Sequence, residues 1–128
     1  MSELSTAILE KPRSSPLASV ERPIDLVHLA RMTLGERSLE REVLQLFDRQ
    51  ATILMARMQA APAPAVPSLA HTLKGSARAI GAGQVARAAE ALEFMDAADA
   101  ADFKRALAAL GAATDEARTF IADLLRAH

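Results

Sequence analysis

The chain has 128 residues, a formal net charge of −1, no cysteine, tryptophan or tyrosine, and a composition that is 51% apolar yet only 3% aromatic. One domain with a real core fits that length; without cysteine there is no disulfide framework or thiolate chemistry, and the near-neutral charge argues against a general nucleic-acid binder, which needs a basic surface. Abundant Ala, Leu, Glu and Arg with scarce aromatics favour closely packed helices over a β fold.

Residues 1–22 mix the short apolar piece Ala7-Ile8-Leu9 with Pro12, Ser14, Ser15, Pro16 and Ser19. They read as an N-terminal arm, docked in part through Leu4, Ile8 or Leu17, ahead of a helical domain over residues 23–128. No basic region followed by a long apolar run opens the chain, which argues against a secretory signal. No stretch is long and apolar enough to span a membrane, so the expected location is cytoplasmic.

Pro23-Ile24-Asp25 opens a short helix with Asp25 near its start and Gly35 as its stop. His28, inside it, reads as a surface or boundary residue. Ser38 is a good N-cap for a long helix to about Ala60, whose stripe of Val43, Leu44, Phe47, Ala51, Leu54 and Met58 follows helical spacing and leaves Arg49 and Arg57 on a solvated face. Ala61 to Pro67, with prolines at 62, 64 and 67, breaks that helix. The first turn of a helix does not use its backbone donors, so Pro64 and Pro67 can sit in one, and the next helix is predicted to begin near Pro64.

In that helix Leu69, Leu73, Ser76 and Ile80 fall within a narrow arc at about 100° per residue and define the predicted buried face. His71 points almost directly the other way, into water, with Lys74, Gly75 and Arg78 beside it. Gly81-Ala82-Gly83 then supplies a turn. An antiparallel hairpin pivoting on Ala82 brings His71 level with Glu93, and Val85, Ala89, Leu92 and Met95 form the core stripe of the second helix. Glu90 points farther out, near the level of Lys74. A carboxylate beside an exposed imidazole can accept the Nδ1 proton, which fixes the tautomer and leaves Nε2 with a free lone pair. Such a ring is an oriented nucleophile with positive charge nearby for an anion.

The second helix is predicted to fade around Asp96 to Ala98. Asp99 caps a last long helix, with Asp102 suited to its positive N-terminal end, and Phe103, Leu107, Leu110, Ala113, Ala117, Phe120, Ile121 and Leu124 make a sustained stripe. Gly111 weakens or bends that helix, or permits close packing. His128 is terminal and carries no assigned role. The predicted fold is all-α: an antiparallel up-down four-helix bundle with a short N-terminal capping helix.

The run His-Thr-Leu-Lys-Gly-Ser-Ala at 71–77, followed by Ile-Gly-Ala at 80–82 and Ala-Leu-Glu at 91–93, resembles the signature of histidine-containing phosphotransfer (HPt) domains, small helical bundles that carry a phosphoryl group on histidine in two-component phosphorelays. The bundle pattern extends the resemblance over roughly residues 23–128. By that resemblance His71 would be the phosphoacceptor, Lys74 the partner of the phosphoryl oxygens, Gly75 the gap beside the ring, and Glu93 the hydrogen-bond partner of the imidazole, with Arg78 a weaker candidate one turn on. The implied partners are response-regulator receiver domains and a hybrid histidine kinase, and the implied role is a monomeric phosphoryl carrier rather than an autonomous enzyme. The glycines at 75, 81 and 83 match no nucleotide-binding loop, so phosphate must come from another protein. No cofactor is expected, and magnesium would belong to the receiver, since no carboxylate cluster makes a site here. Two other readings stay open: a helical adaptor or degenerate HPt-like domain that binds receivers without being phosphorylated, and a metal site using His71 and Glu93, which has too few ligands in one chain.

Overall fold

The computed structural model describes residues 21–127, and these are helical with no strand. The expected docking of the N-terminal arm through Leu4, Ile8 or Leu17, and His128, lie outside the described residues. Five α-helices follow in order: α1 (Leu26–Met32), α2 (Arg37–Ala60), α3 (Val66–Ile80), α4 (Gly83–Glu93) and α5 (Ala100–Ala127), with a single 3-10 turn (Ala63–Ala65) before α3.

Local chemistry accounts for most of the boundaries. Asp25 caps α1, its Oδ1 accepting from the backbone N–H of Val27 and of His28, each at 3.1 Å. Leu34 and Gly35, with φ of 55° and 73°, turn the chain out of it. The expected cap of α2 is displaced: Glu36 occupies the N-cap position and Ser38 is already inside the helix, because a backbone bond from Glu40 to Glu36 closes the first turn earlier than a serine cap would. The prolines set where α3 starts. Pro62 precedes the 3-10 turn, Pro64 lies within it, and Pro67 sits in the first turn of α3, where its missing donor is not needed. At the far end Asp99 caps α5 through Asp102, and that helix runs through Gly111 without a break.

The core is aliphatic and alanine-rich: Leu44, Phe47, Ala51 and Met58 from α2, Val66, Ala70, Leu73 and Ala77 from α3, Val85, Ala89 and Leu92 from α4, and Leu110, Ala117 and Ile121 from α5. Helices α2 and α4 each pack on α3 and on α5, and α1 packs on α3. Two expectations need correction. Ser76 is not in the buried arc of α3; it is half exposed and donates to Gln50 Oε1 of α2 at 2.7 Å. The covered face is turned toward α4, over Ala70, Lys74 and Ala77, because alanines let the two backbones approach closely on that side. Helix α4 ends at Glu93, before the predicted fade at Asp96 to Ala98, and Met95 lies beyond it, half buried.

The joint between α3 and α4 governs everything near the functional residues. Gly81, at φ 83°, ends α3 in a left-handed conformation; its N–H reaches the carbonyl of Arg78 and that of Ala82 reaches Ala77, the paired bonds of a Schellman cap. Its own carbonyl accepts from the backbone N–H of Asp25 at 2.9 Å, tying the hairpin turn to the cap of α1. A Cβ at position 81 would meet the Cβ and carbonyl oxygen of Asp25 at 3.1 Å. Gly81→Ala therefore combines an unfavourable φ with a forced shift of that strap, and is expected to destabilise the domain by about 1–2 kcal/mol in urea denaturation.

Candidate functional site

The site is assembled across the α3–α4 hairpin. Pairs of side chains nest about the turn, Arg78 with Glu90 inside His71 with Glu93, as antiparallel helices require. His71 Nδ1 lies 2.6 Å from Glu93 Oε2. A carboxylate can only accept, so Nδ1 carries a proton, and in the neutral ring the lone pair is then on Nε2. The imidazole side chain is 66% exposed, whereas Glu93 is 14% exposed; an open ring is held from a nearly covered base.

Lys74 differs from its expected place in water beside His71. Its side chain is only 9% exposed, and its ammonium sits 2.6 Å from Glu93 Oε1 and 3.8 Å from Glu90. Helix α3 turns this position against α4, and burial of an ammonium is tolerable only with a paired carboxylate. Glu93 thus divides its two oxygens, one to the imidazole and one to the ammonium. The Lys74 hydrogen bond, foremost, holds the Glu93 carboxyl below its usual range; burial opposes this, and His71 adds to it. Arg78 is tied to Glu90 at 3.1 Å rather than standing open beside the ring. Gly75 is exposed, and a Cβ built there meets nothing within 4 Å, so no neighbour among the described residues demands a glycine.

Hairpin registry from the sequence brings His71 and Glu93 together, and it places Glu90 by Lys74. It misses Phe94. This side chain, on the residue that ends α4, is 72% exposed, and its ring centroid lies 5.1 Å from Lys74 Nζ, within cation–π range. The available signal was an aromatic directly after Glu93 in a chain with four phenylalanines. His28 proves to be structural: its Nε2–H donates to the carbonyl of Ala79 at 2.9 Å, pinning α1 to α3. Among the described residues no group of three or more His, Cys, Asp or Glu could hold a metal ion. Nor is any helix among them long and apolar enough to cross a membrane.

An exposed imidazole, held through Nδ1, thus stands on an all-helical scaffold. A family model for the Hpt domain matches residues 37–124, from the first turn of α2 into α5, and the chain belongs to that family. Hpt domains act in histidine phosphotransfer within phosphorelays, with receiver domains and kinases, as carriers rather than enzymes. The matched span contains His71, Lys74, Gly75, Arg78 and Glu93 and leaves out α1. No match was found among curated proteins or among solved structures.

The shared carboxylate has a measurable signature. Lys74→Met removes the main group that depresses the Glu93 carboxyl, so its titration midpoint should rise toward the ordinary carboxylate range in carbon-detected NMR. Glu93 has a folded pKa below its unfolded one, so its stabilisation is present above the unfolded pKa and is lost as pH falls through the folded pKa. In Lys74→Met that acid-side loss should be smaller, as followed by thermal melts between neutral and acid pH.

Proposed function

We propose that the protein accepts a phosphoryl group on His71 from a phospho-aspartyl receiver domain and passes it to, or exchanges it with, another receiver. The observation that carries this reading is the 2.6 Å contact from His71 Nδ1 to Glu93 on a ring left open to solvent. Nε2 attacks phosphorus with its lone pair; the P–N bond forms as the P–O bond to the aspartyl carboxylate breaks, and that carboxylate leaves with the bonding pair. The ring then bears the phosphoryl group on Nε2 and a proton on Nδ1, and is cationic, a charge that Glu93 faces. Lys74 holds Glu93 in place and supplies positive charge near the phosphoryl oxygens; Arg78, one turn on, is the weaker contributor. Such transfer depends on alignment and charge neutralisation more than on covalent help from the surroundings.

In this reading residues 23–128 form one working unit, with residues 1–22 as an arm. Its helices α2 to α5 make an antiparallel up-down bundle capped by α1. The ring of packed pairs α2–α3–α4–α5 supports that topology, as do the nested contacts of Asp48 with Arg118 and of Leu125 with Arg41. The protein works as a cytoplasmic monomer between a hybrid kinase and a response regulator and holds no metal of its own. Magnesium belongs to the receiver.

His71→Gln is expected to abolish acid-labile phosphate on the protein after incubation with phosphorylated receivers while leaving the melting curve unchanged, because the side chain is exposed. Label persisting on another histidine would refute the assignment.

Gly75 supplies a second test. A helical glycine costs about 0.5–1 kcal/mol relative to alanine, and the open space around it gives that cost no internal return. Gly75→Ala should raise the melting temperature slightly and Gly75→Gln should stop transfer from a receiver. A glutamine variant that transfers at the wild-type rate would place the docking face elsewhere.

A further inference from the structure

Three shallow depressions adjoin on the side of α3 away from α4. The first lies between α1 and α3, with Arg31, Met32, Gly75 and Arg78 in its wall. Met32 and Ala79 continue it into a second, over Leu46 and Gln50 of α2. Leu46 and Gln50 continue that into a third, bounded by Arg49, Ile53, Arg57 and Thr72. Gly75 and Thr72 stand at i+4 and i+1 from His71, so the surface meets the histidine's own helix at both ends.

Its chemistry is unlike that of the rest of the molecule. Met32, Leu46 and Ile53 are exposed apolar side chains at its centre. Among the described residues no Asp or Glu lines any of the three depressions, although the whole chain carries a net charge of −1. Five arginines are matched to carboxylates: Arg87 to Glu21, Arg105 to Asp102, Arg118 to Asp48, Arg126 to Asp123, and Arg78, in the wall of the first depression, to Glu90. Among the described residues none of the ion pairs uses Arg31, Arg49 or Arg57. An apolar centre with an unneutralised arginine rim is the anatomy of a docking surface, in which the apolar side chains supply affinity and the rim steers approach and rejects partners of the wrong charge.

We propose that Arg31, Arg49 and Arg57, around Met32, Leu46 and Ile53, select receiver domains whose facing surface is acidic; this rests on the phosphorelay reading of His71. Complementarity follows from the donor's chemistry. A protein that forms an aspartyl phosphate with magnesium must present the acceptor carboxylate together with further oxygen ligands for the metal, and so is acidic around its reacting atom. The exposed arginines face that charge while the apolar residues exclude water from the contact. Arg49 and Arg57 therefore do more than solvate the outer face of α2.

The test uses the full chain carrying Arg31→Glu, Arg49→Glu and Arg57→Glu together, with acetyl-phosphate-charged receiver domains as one donor and phosphoramidate, which needs no docking, as the other. In wild type, transfer from a receiver should slow as salt is raised. The triple variant should transfer at least about tenfold more slowly at low salt, with little dependence on salt, yet take label on His71 from phosphoramidate at the wild-type rate. Equal receiver rates in the two proteins at every salt concentration would overturn the docking face alone. Loss of phosphoramidate labelling in the variant would also overturn it, by assigning the arginines to the histidine itself. Wild type that accepts label from no receiver would instead bring down the relay reading. Should the triple variant not fold, Arg49→Gln and Arg57→Gln, each on an exposed helical position, give the same comparison with smaller rate changes.

Discussion

One carboxylate holds the site together. Glu93 reaches back across the α3–α4 hairpin with one oxygen on the imidazole of His71 and the other on the ammonium of Lys74, both at 2.6 Å. Each partner makes the other's geometry possible. Without Lys74, the nearly covered carboxylate would face only a neutral ring; without Glu93, Lys74 would be an unpaired buried charge. Two acceptor oxygens with different assignments also keep the ring from rotating freely, so its unprotonated nitrogen has a defined direction. The exposed face of α3 gets its chemistry from contacts made on the covered side.

That clamp depends on the turn that sets helix register. A shift of one residue in α4 would rotate Glu93 by about 100° around its axis and away from the imidazole. The Schellman cap at Gly81 prevents the shift, and the strap from Asp25 to the Gly81 carbonyl extends the same control to α1. Helix α1 lies outside the span matched by the family, yet it is pinned to α3 twice, through Asp25 and through His28 on the carbonyl of Ala79. It also contributes Arg31 and Met32 to the face beside His71. Helix α1 therefore both braces the hairpin turn and forms part of the proposed docking surface.

The two flanks of α3 are built for different tasks. Toward α4, charge is neutralised in place by Glu93 and Glu90, and Phe94 covers the lysine. Toward α1 and α2, charge is left open around exposed apolar side chains. A partner approaching His71 from the second flank meets arginines that pair with no carboxylate among the described residues, whereas Lys74 and Arg78 are each paired on the first.

The sequence by itself determined that the chain is helical, where most helices stop, and which histidine and glutamate come level. Those properties are local: caps such as Asp25 and Asp99, breakers such as Pro62 and Gly81, and equal distances from a turn at Ala82 act within a few residues or along one hairpin. Tertiary structure alone decided which face of α3 is covered. Periodicity marked a narrow arc through Leu69, Leu73, Ser76 and Ile80, whereas the buried face includes Ala70, Lys74 and Ala77, where the neighbouring backbone can approach. That choice moved Ser76 to the margin, buried Lys74, and left Phe94 outside. It also decided which arginines find a carboxylate. A charge pair needs two side chains brought together from separate helices, and neither residue's own surroundings in the sequence report the distance between them.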